Sequence, residues 1–362
     1  MTAPTLTDLV ARFPLVPRPR PICLPLPQRI RALGDLAQKA ADNSDPVAAS
    51  AVYNQAALLA SDIGHRDLAS EMCRQHAAAY LHAAPLPANT AIRALDPVIN
   101  LARLQLRARQ GDSALDHLLR LFNAVSTGTA DHFDGVAIPA HLVETPTTRL
   151  EVRAWLWRVL LADGSRALTS AGRWNAALAH VHEHRGIGTR MLDGRQIAVI
   201  AALTNGDSSA AEELVAATEP GEPWEVAVTA CLRALCNRYG AGLNQPHTLA
   251  DTFLTIPSQH GTIAFEVRLG LTIINVIGAS PAAGRVMREL HRRITAAADG
   301  AAAKETQADP LFTTLSTQDE THRAQDLIEA CGLDSPTLPA PLHQELQDAV
   351  RISDRLIRDL SP

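Results

Sequence analysis

Aromatic side chains make up only 4% of this 362-residue chain and cysteine occurs five times, while Lys and Arg nowhere gather into a run. Without a basic run there is no electrostatic footprint for gripping a phosphate backbone, so nucleic acid is not an expected partner. The formal net charge of −5 agrees. The most apolar windows, 197–203 and 271–277, are far shorter than the roughly 18–20 residues a bilayer span requires, so no membrane partner is expected either. Cys23, Cys73, Cys231, Cys236 and Cys331 are odd in number and scattered, and the one close pair has C-x4-C spacing, which predicts free, buried thiols rather than cross-links or a metal site. There is no G-x-S-x-G, P-loop or G-x-G-x-x-G, and no cofactor is implied. Pro14, Pro17, Pro19, Pro21 and Pro25 interrupt the first 26 residues, so a secretory signal is not expected and the cytosol is the expected compartment.

What is present is Ala, Leu, Val and Ile, filling most of a 46% hydrophobic content; that mixture packs helices closely. The expected class is all-α, built of stacked helical hairpins. Five stretches follow along the chain. Residues 1–26 read as a Pro-rich extended arm that either docks on a partner or lies over the protein's own surface. Residues 27–125 read as N-terminal helical hairpins, and 126–146, with Gly128, Gly135, Pro139 and Pro146, as a loop or insertion. Residues 147–298 read as further hairpins, and 299–362 as a looser tract followed by capping helices, the last from Leu342 to Leu360 packing back or closing the stack. The helix at 148–162 carries apolar residues around most of its circumference and is expected to be central and buried on several sides.

One junction recurs. Gly64-His65-Arg66-Asp67, Gly111-Asp112-Ser113-Ala114, Gly172-Arg173-Trp174-Asn175 and Gly206-Asp207-Ser208-Ser209 each pair a helix-ending glycine with polar residues that start the next helix. From Gly172 to Gly206 is 34 residues, and another 34 reaches Gly240. This is the tetratricopeptide period. Leu168 to His180, with Gly172 at the turn and Ala176-Ala177 opening the second helix, resembles the middle of a tetratricopeptide repeat in degenerate form. The resemblance implies a solenoid whose concave surface receives a peptide or partner protein.

Candidate chemistry centres on 153–195. His180 and His184 stand one helical turn apart, the spacing of two zinc ligands, but Glu183 is out of the H-E-x-x-H order and no third ligand is near, so they are weak metal candidates beside a plain helix end. Arg185, Arg190 and Arg195, interleaved with Gly186 and Gly188, form either an anion-holding loop for a carboxylate or phosphate or a solvated connection paired with Asp193. Trp155 and Trp157 cannot share a helix face, so one is expected in the core and the other along a groove with Arg153. His132, beside Asp131 and Asp134, and His76 and His82 are isolated acid-base candidates. Together these predict a non-catalytic interaction protein that binds a peptide or protein partner through Arg153, Trp155, Trp157, Arg185, Arg190 and Arg195. The Ala/Arg-rich style is similar to accessory subunits of peptide-modifying biosynthetic systems. An enzyme or enzyme subunit with its site at His180–Arg195, and a ligand-responsive regulator, remain the alternatives.

Overall fold

The computed structural model describes residues 4–239, 246–333, 335 and 337–360. In chain order it runs α1 (Leu6–Val10), α2 (Leu26–Asp42), α3 (Pro46–Asp62), α4 (Arg66–Leu81), α5 (Ala88–Arg107), α6 (Gly111–Thr127), β1 (Asp131–Phe133), β2 (Val136–Ile138) and α7 (Pro146–Val159). A π-helical turn (Leu160–Gly164) then leads through α8 (Ser165–Thr169) to α9 (Trp174–Glu183), α10 (Asp193–Thr204), α11 (Ser208–Ala216), α12 (Pro223–Tyr239) and α13 (Pro246–Leu254). The chain closes with α14 (Ile263–Ile277), α15 (Pro281–Ala297), α16 (Gly300–Gln307), α17 (Pro310–Leu315), α18 (Gln318–Ala330) and α19 (Ala340–Leu360). The protein is all-α, with successive helices packed as stacked hairpins. No helix among the described residues is long and apolar enough to cross a membrane.

Local chemistry sets the boundaries. Asp45 caps α3 by accepting from the Val47 and Ala48 amides at 2.9 and 3.1 Å, with Pro46 at the first helical position. Gly64, Gly172 and Gly206 take the left-handed conformation expected of them (φ 89°, 70° and 80°). At Gly64 the amide of His65 reaches back to the Ala60 carbonyl (2.8 Å) and that of Gly64 to Ser61 (3.2 Å), which closes the helix end. Gly111 departs from this pattern, because it begins α6 and the left-handed residue is Arg109 (φ 60°). Ser44 and Arg185 make the same turn without glycine (φ 50° and 52°). Gly240 lies outside the described residues.

Two compact units form, each from separated stretches: Met1–Leu24 with Leu168–Cys331, and Pro25–Ala167 with Gly332–Pro362. These boundaries differ from a division in chain order at 126 and 299. In the unit starting at Pro25, α19 lies against α2, α3 and α4. Its Leu346, Ala349, Val350 and Ile357 enter the same core as Ile30, Leu33, Val52, Tyr53 and Leu59. The His76 ring stacks on Tyr53 at 4.8 Å and tilts against Tyr80 at 5.8 Å. The Tyr53 hydroxyl donates to Asp354 of α19 at 3.0 Å, so a polar bond accompanies the apolar seam. The segment 126–146 holds a two-stranded hairpin, Asp131 opposite Ile138 and Phe133 opposite Val136.

The helix at 148–162 is not the central one. In α7 only Val152 and Leu156 are buried and Leu150 is 60% exposed, because Arg149, Glu151, Arg153 and Arg158 are spread around the same circumference. The buried helix is α14, in the other unit, where eleven of fifteen residues are buried. Gly270 lets α15 approach it, since a Cβ there would stand 2.7 Å from Leu290 Cδ1. Its one buried charge, Glu266, accepts from Arg293 (2.9 Å), Thr262 Oγ1 (2.7 Å) and Ser258 Oγ (3.0 Å). Arg293 also donates to the Ile256 carbonyl and to Glu289 at 2.8 and 2.7 Å, so this buried pair has the added hydrogen bonds that make burial tolerable.

The first 24 residues are neither wholly extended nor free. Thr5 and Asp8 form a capping box that starts α1 ahead of the proline-rich stretch, which is why a helix forms where the proline content argued against one. Phe13 and Leu15 are buried. Gln196 of α10 brackets Leu15, accepting its N–H at 2.6 Å and donating to its carbonyl at 2.9 Å, in the manner of a neighbouring strand. Helix-capping carboxylates hold the rest: Asp309 receives Arg12 (2.8 Å) and Asp299 receives the Cys23 amide (3.1 Å). The tract after 299 is accordingly helical, Asp299 capping α16 and Asp309 capping α17.

Candidate functional site

The loop between α9 and α10 is a folded connection. Gly194 is required there, since a Cβ would fall 2.2 Å from the Gly186 carbonyl oxygen. Arg190 donates from Nε to Glu225 at 2.8 Å and from its terminal nitrogen to the other carboxylate oxygen, a bidentate pair. These bonds hold the Glu225 carboxyl below the ordinary glutamate range against the opposing effect of burial, and the Glu222 amide assists. Arg195 is 9% exposed and donates to the Leu214 carbonyl at 2.8 Å and to Gly188 at 3.4 Å, tying the loop to the end of α11. Asp193 pairs with Arg18 at 2.7 Å rather than with the loop's own arginines. Arg190 and Arg195 therefore have internal partners, and Arg185 alone of the three is exposed.

His180 and His184 meet edge-on with ring centroids 4.6 Å apart. Among the described residues no group of three or more His, Cys, Asp or Glu side chains is arranged to hold a metal ion. Arg153 is exposed on α7, Trp155 packs half-buried on the core of its unit, and Trp157 is half-buried. These three belong to one unit and Arg185–Arg195 to the other. All five cysteines are free and buried, and burial pushes Cys73 and Cys231 up to about 12, well away from thiolate chemistry at neutral pH.

Two features of the unit starting at Pro25 escape a reading by motif. The first is a row of polar side chains on α3, on α5 and at the π-helical turn. Asn54 donates to Asp96 at 3.0 Å and accepts from Asn100 at 3.0 Å. Arg103 donates to Asn100 at 3.0 Å and to Asp163 at 2.9 Å. Burial raises the Asp96 carboxyl, and Arg103 opposes that shift. The residues are spaced 54, 96, 100, 103 and 163, so only the positions on α5 show a helical period in sequence.

The second feature is a cleft of about 410 Å³ between α6 and the β-hairpin, also lined by Gln105 of α5. Asp112, Ser113, Asp116, His117 and Arg120 line one wall, and His132, Phe133 and Asp134 the other. Arg120 reaches across: it pairs with Asp131, stands 3.8 Å from Asp116 and lies 5.1 Å from the centre of the Phe133 ring. His117 stacks on the same ring at 4.9 Å, and burial drops its pKa to about 4, which makes it neutral at pH 7. His132, Asp131 and Asp134 were legible as isolated groups. Their partner face, the stripe at 112, 116, 117 and 120, has helical spacing but holds no recognised motif.

Helix-lined polar surfaces on a scaffold of hairpins thus define an all-α protein with a candidate ligand-binding face. No protein-family model, curated protein or solved structure matches the chain.

Proposed function

We propose that this chain is a non-catalytic helical-hairpin protein, tetratricopeptide-like in organisation, that binds a peptide or a segment of a partner protein. The observation that carries the reading is the polar row Asn54–Asp96–Asn100–Arg103–Asp163. Half-buried Asn54, Asp96 and Asn100, with exposed Arg103 anchored on buried Asp163, keep donors and acceptors in fixed positions, and an extended peptide backbone supplies the complementary alternation of C=O and N–H. The sequence style shared with accessory subunits of peptide-modifying systems supports the same class of partner.

Selecting peptides from a displayed random library on the full chain tests it. A sequence-dependent binder is expected, and the double variant Asn54→Ala/Asn100→Ala is expected to weaken it fivefold to a hundredfold, because two hydrogen bonds of about 0.5–1.5 kcal/mol each are lost. A library that yields no saturable binder, or binders indifferent to the double variant, refutes the proposal.

A further inference from the structure

Residues 15–24 form neither helix nor strand, yet this arm is held along its length. Arg12 donates to Asp309 at 2.8 Å, Arg18 to Asp193 at 2.7 Å, the Arg20 amide to the Gly261 carbonyl at 3.1 Å and the Cys23 amide to Asp299 at 3.1 Å. Phe13 and Leu15, two positions apart, are both buried, the period of an extended segment with one face turned inward. What receives the arm is fixed without it. The Gln196 carboxamide that brackets Leu15 is also anchored on the Met191 carbonyl at 3.0 Å. Asp309 and Asp299 each turn one carboxylate oxygen to the arm while the other caps a helix, accepting from the Phe312 and Ala302 amides at 2.9 Å. Asn275 steadies the arm-facing oxygen of Asp309 at 2.7 Å. Gly261 allows the close approach of backbone, since a Cβ there would stand 3.1 Å from the Arg20 carbonyl oxygen. Polar groups oriented by bonds within their own helices lose little freedom when an extended chain arrives. The arm therefore lies as a bound peptide lies, its backbone read by a buried carboxamide, its arginines by carboxylates and its apolar side chains inserted.

We infer that this surface, built by α10, α14 and the starts of α16 and α17, is a groove for an extended segment of a partner protein, and that the amino-terminal arm is an internal stand-in which that segment replaces. The segment it fits carries two apolar side chains two positions apart with an arginine on either side, as Arg12, Phe13, Leu15 and Arg18 do. The tether keeps the arm at high local concentration, so an outside segment binds the closed chain weakly and the opened chain well. The inference shares with the proposed function only its class of partner, because the polar row belongs to the other unit.

The probe is a fluorescein-labelled peptide of residues 9–22, titrated into the full chain and into its Phe13→Ala/Leu15→Ala variant, which releases the arm but leaves every residue of the groove in place. Saturable binding to the variant is expected, at least tenfold weaker to the native chain, where the tethered arm competes. The L15D peptide is expected to bind the variant at least tenfold more weakly than the native peptide, and the R12E/R18E peptide at least fivefold. Hydrogen exchange of the native chain needs no substitution: the Leu15, Arg20 and Cys23 amides are expected to exchange through local opening while α10 and α14 stay protected. Arm amides that exchange only together with α10 and α14, or loss of protection of those helices in the variant, make the arm part of the core and overturn the proposal. A folded variant that binds no peptide, or binds it no better than the native chain does, overturns it equally. A dimer of the native chain in light scattering that Phe13→Ala/Leu15→Ala abolishes assigns the groove to the arm of a second copy and overturns the partner source. Binding of the arm peptide is expected to survive Asn54→Ala/Asn100→Ala, so failure of the polar row and failure of this groove are read separately.

Discussion

At the scale of single residues, the protein buries histidine in uncharged form. His76 is fully buried between Tyr53 and Tyr80, and desolvation lowers its pKa to about 3 although Asp354 pulls the other way. The unfolded chain protonates this histidine near its ordinary value of about 6.5, so its contribution to stability is complete above that pH and declines as pH falls toward the folded value. Each pH unit in that window costs up to about 1.4 kcal/mol for one such group. His117 and His291, lowered in the same direction by burial, add to the slope. His76→Phe keeps a flat ring between the tyrosines and removes the proton. Urea unfolding at pH 7 and pH 5 should therefore show a loss on acidification that is smaller in the variant by about 1–2 kcal/mol; parallel losses would mean that His76 titrates normally. Legibility at this scale depended on distance along the chain. The scatter of the thiols along the chain is enough to predict that they are buried and not cross-linked. Arg190 was visible as a cation in a glycine-bearing loop, but its partner Glu225 is 35 positions away and no local pattern announces it. A guanidinium that looks available in sequence is thus bonded in the fold.

At the scale of elements, helices were legible wherever start and stop chemistry is strong, as at Asp45-Pro46 and Gly64. The turns at Ser44, Arg109 and Arg185 were harder, because a left-handed residue with a side chain leaves no compositional mark. The amino-terminal arm shows the same limit: Phe13 and Leu15 announce a need for burial, but Gln196, which accepts and donates to Leu15, is 181 positions away. That glutamine is fully buried, and its carboxamide satisfies both backbone groups of Leu15 at once. Gln196→Ala strands a buried N–H and a buried C=O, at about 1–3 kcal/mol each. Hydrogen exchange should show residues 5–24 losing protection well before the helices of the same unit, with global stability reduced by about 2–6 kcal/mol. Retained protection of the arm would assign its docking to Phe13 and Leu15 packing and to the Asp299 and Asp309 caps instead.

At the scale of the whole molecule, units are defined by contact rather than by order along the chain. The chain passes between them after Leu24, after Ala167 and after Cys331, so a division drawn at composition shifts such as 126–146 or 299 cuts through both. Sequence supplied the helices and the tendency of the last one to pack back; its target, the α2–α3 surface, follows from the apolar faces that α2 and α3 leave for it and was not readable from spacing. Leu346, Val350 and Ile357 are buried there, each worth about 1.5–3 kcal/mol relative to exposure. Their combined loss, about 5–9 kcal/mol, is of the order of the whole stability of an ordinary domain. A chain ending at Pro339 should therefore lose hydrogen-exchange protection across residues 26–62 and tend to associate through the uncovered Ile30, Leu33 and Leu59. Adding a synthetic peptide of residues 340–362 should restore protection in trans. Helix α9 and the Glu266–Arg293 pair belong to the other unit and provide the internal comparison within the same exchange experiment. Unchanged protection of α2 and α3 in the shortened chain would show that the α19 seam is dispensable and that the core of this unit closes without it.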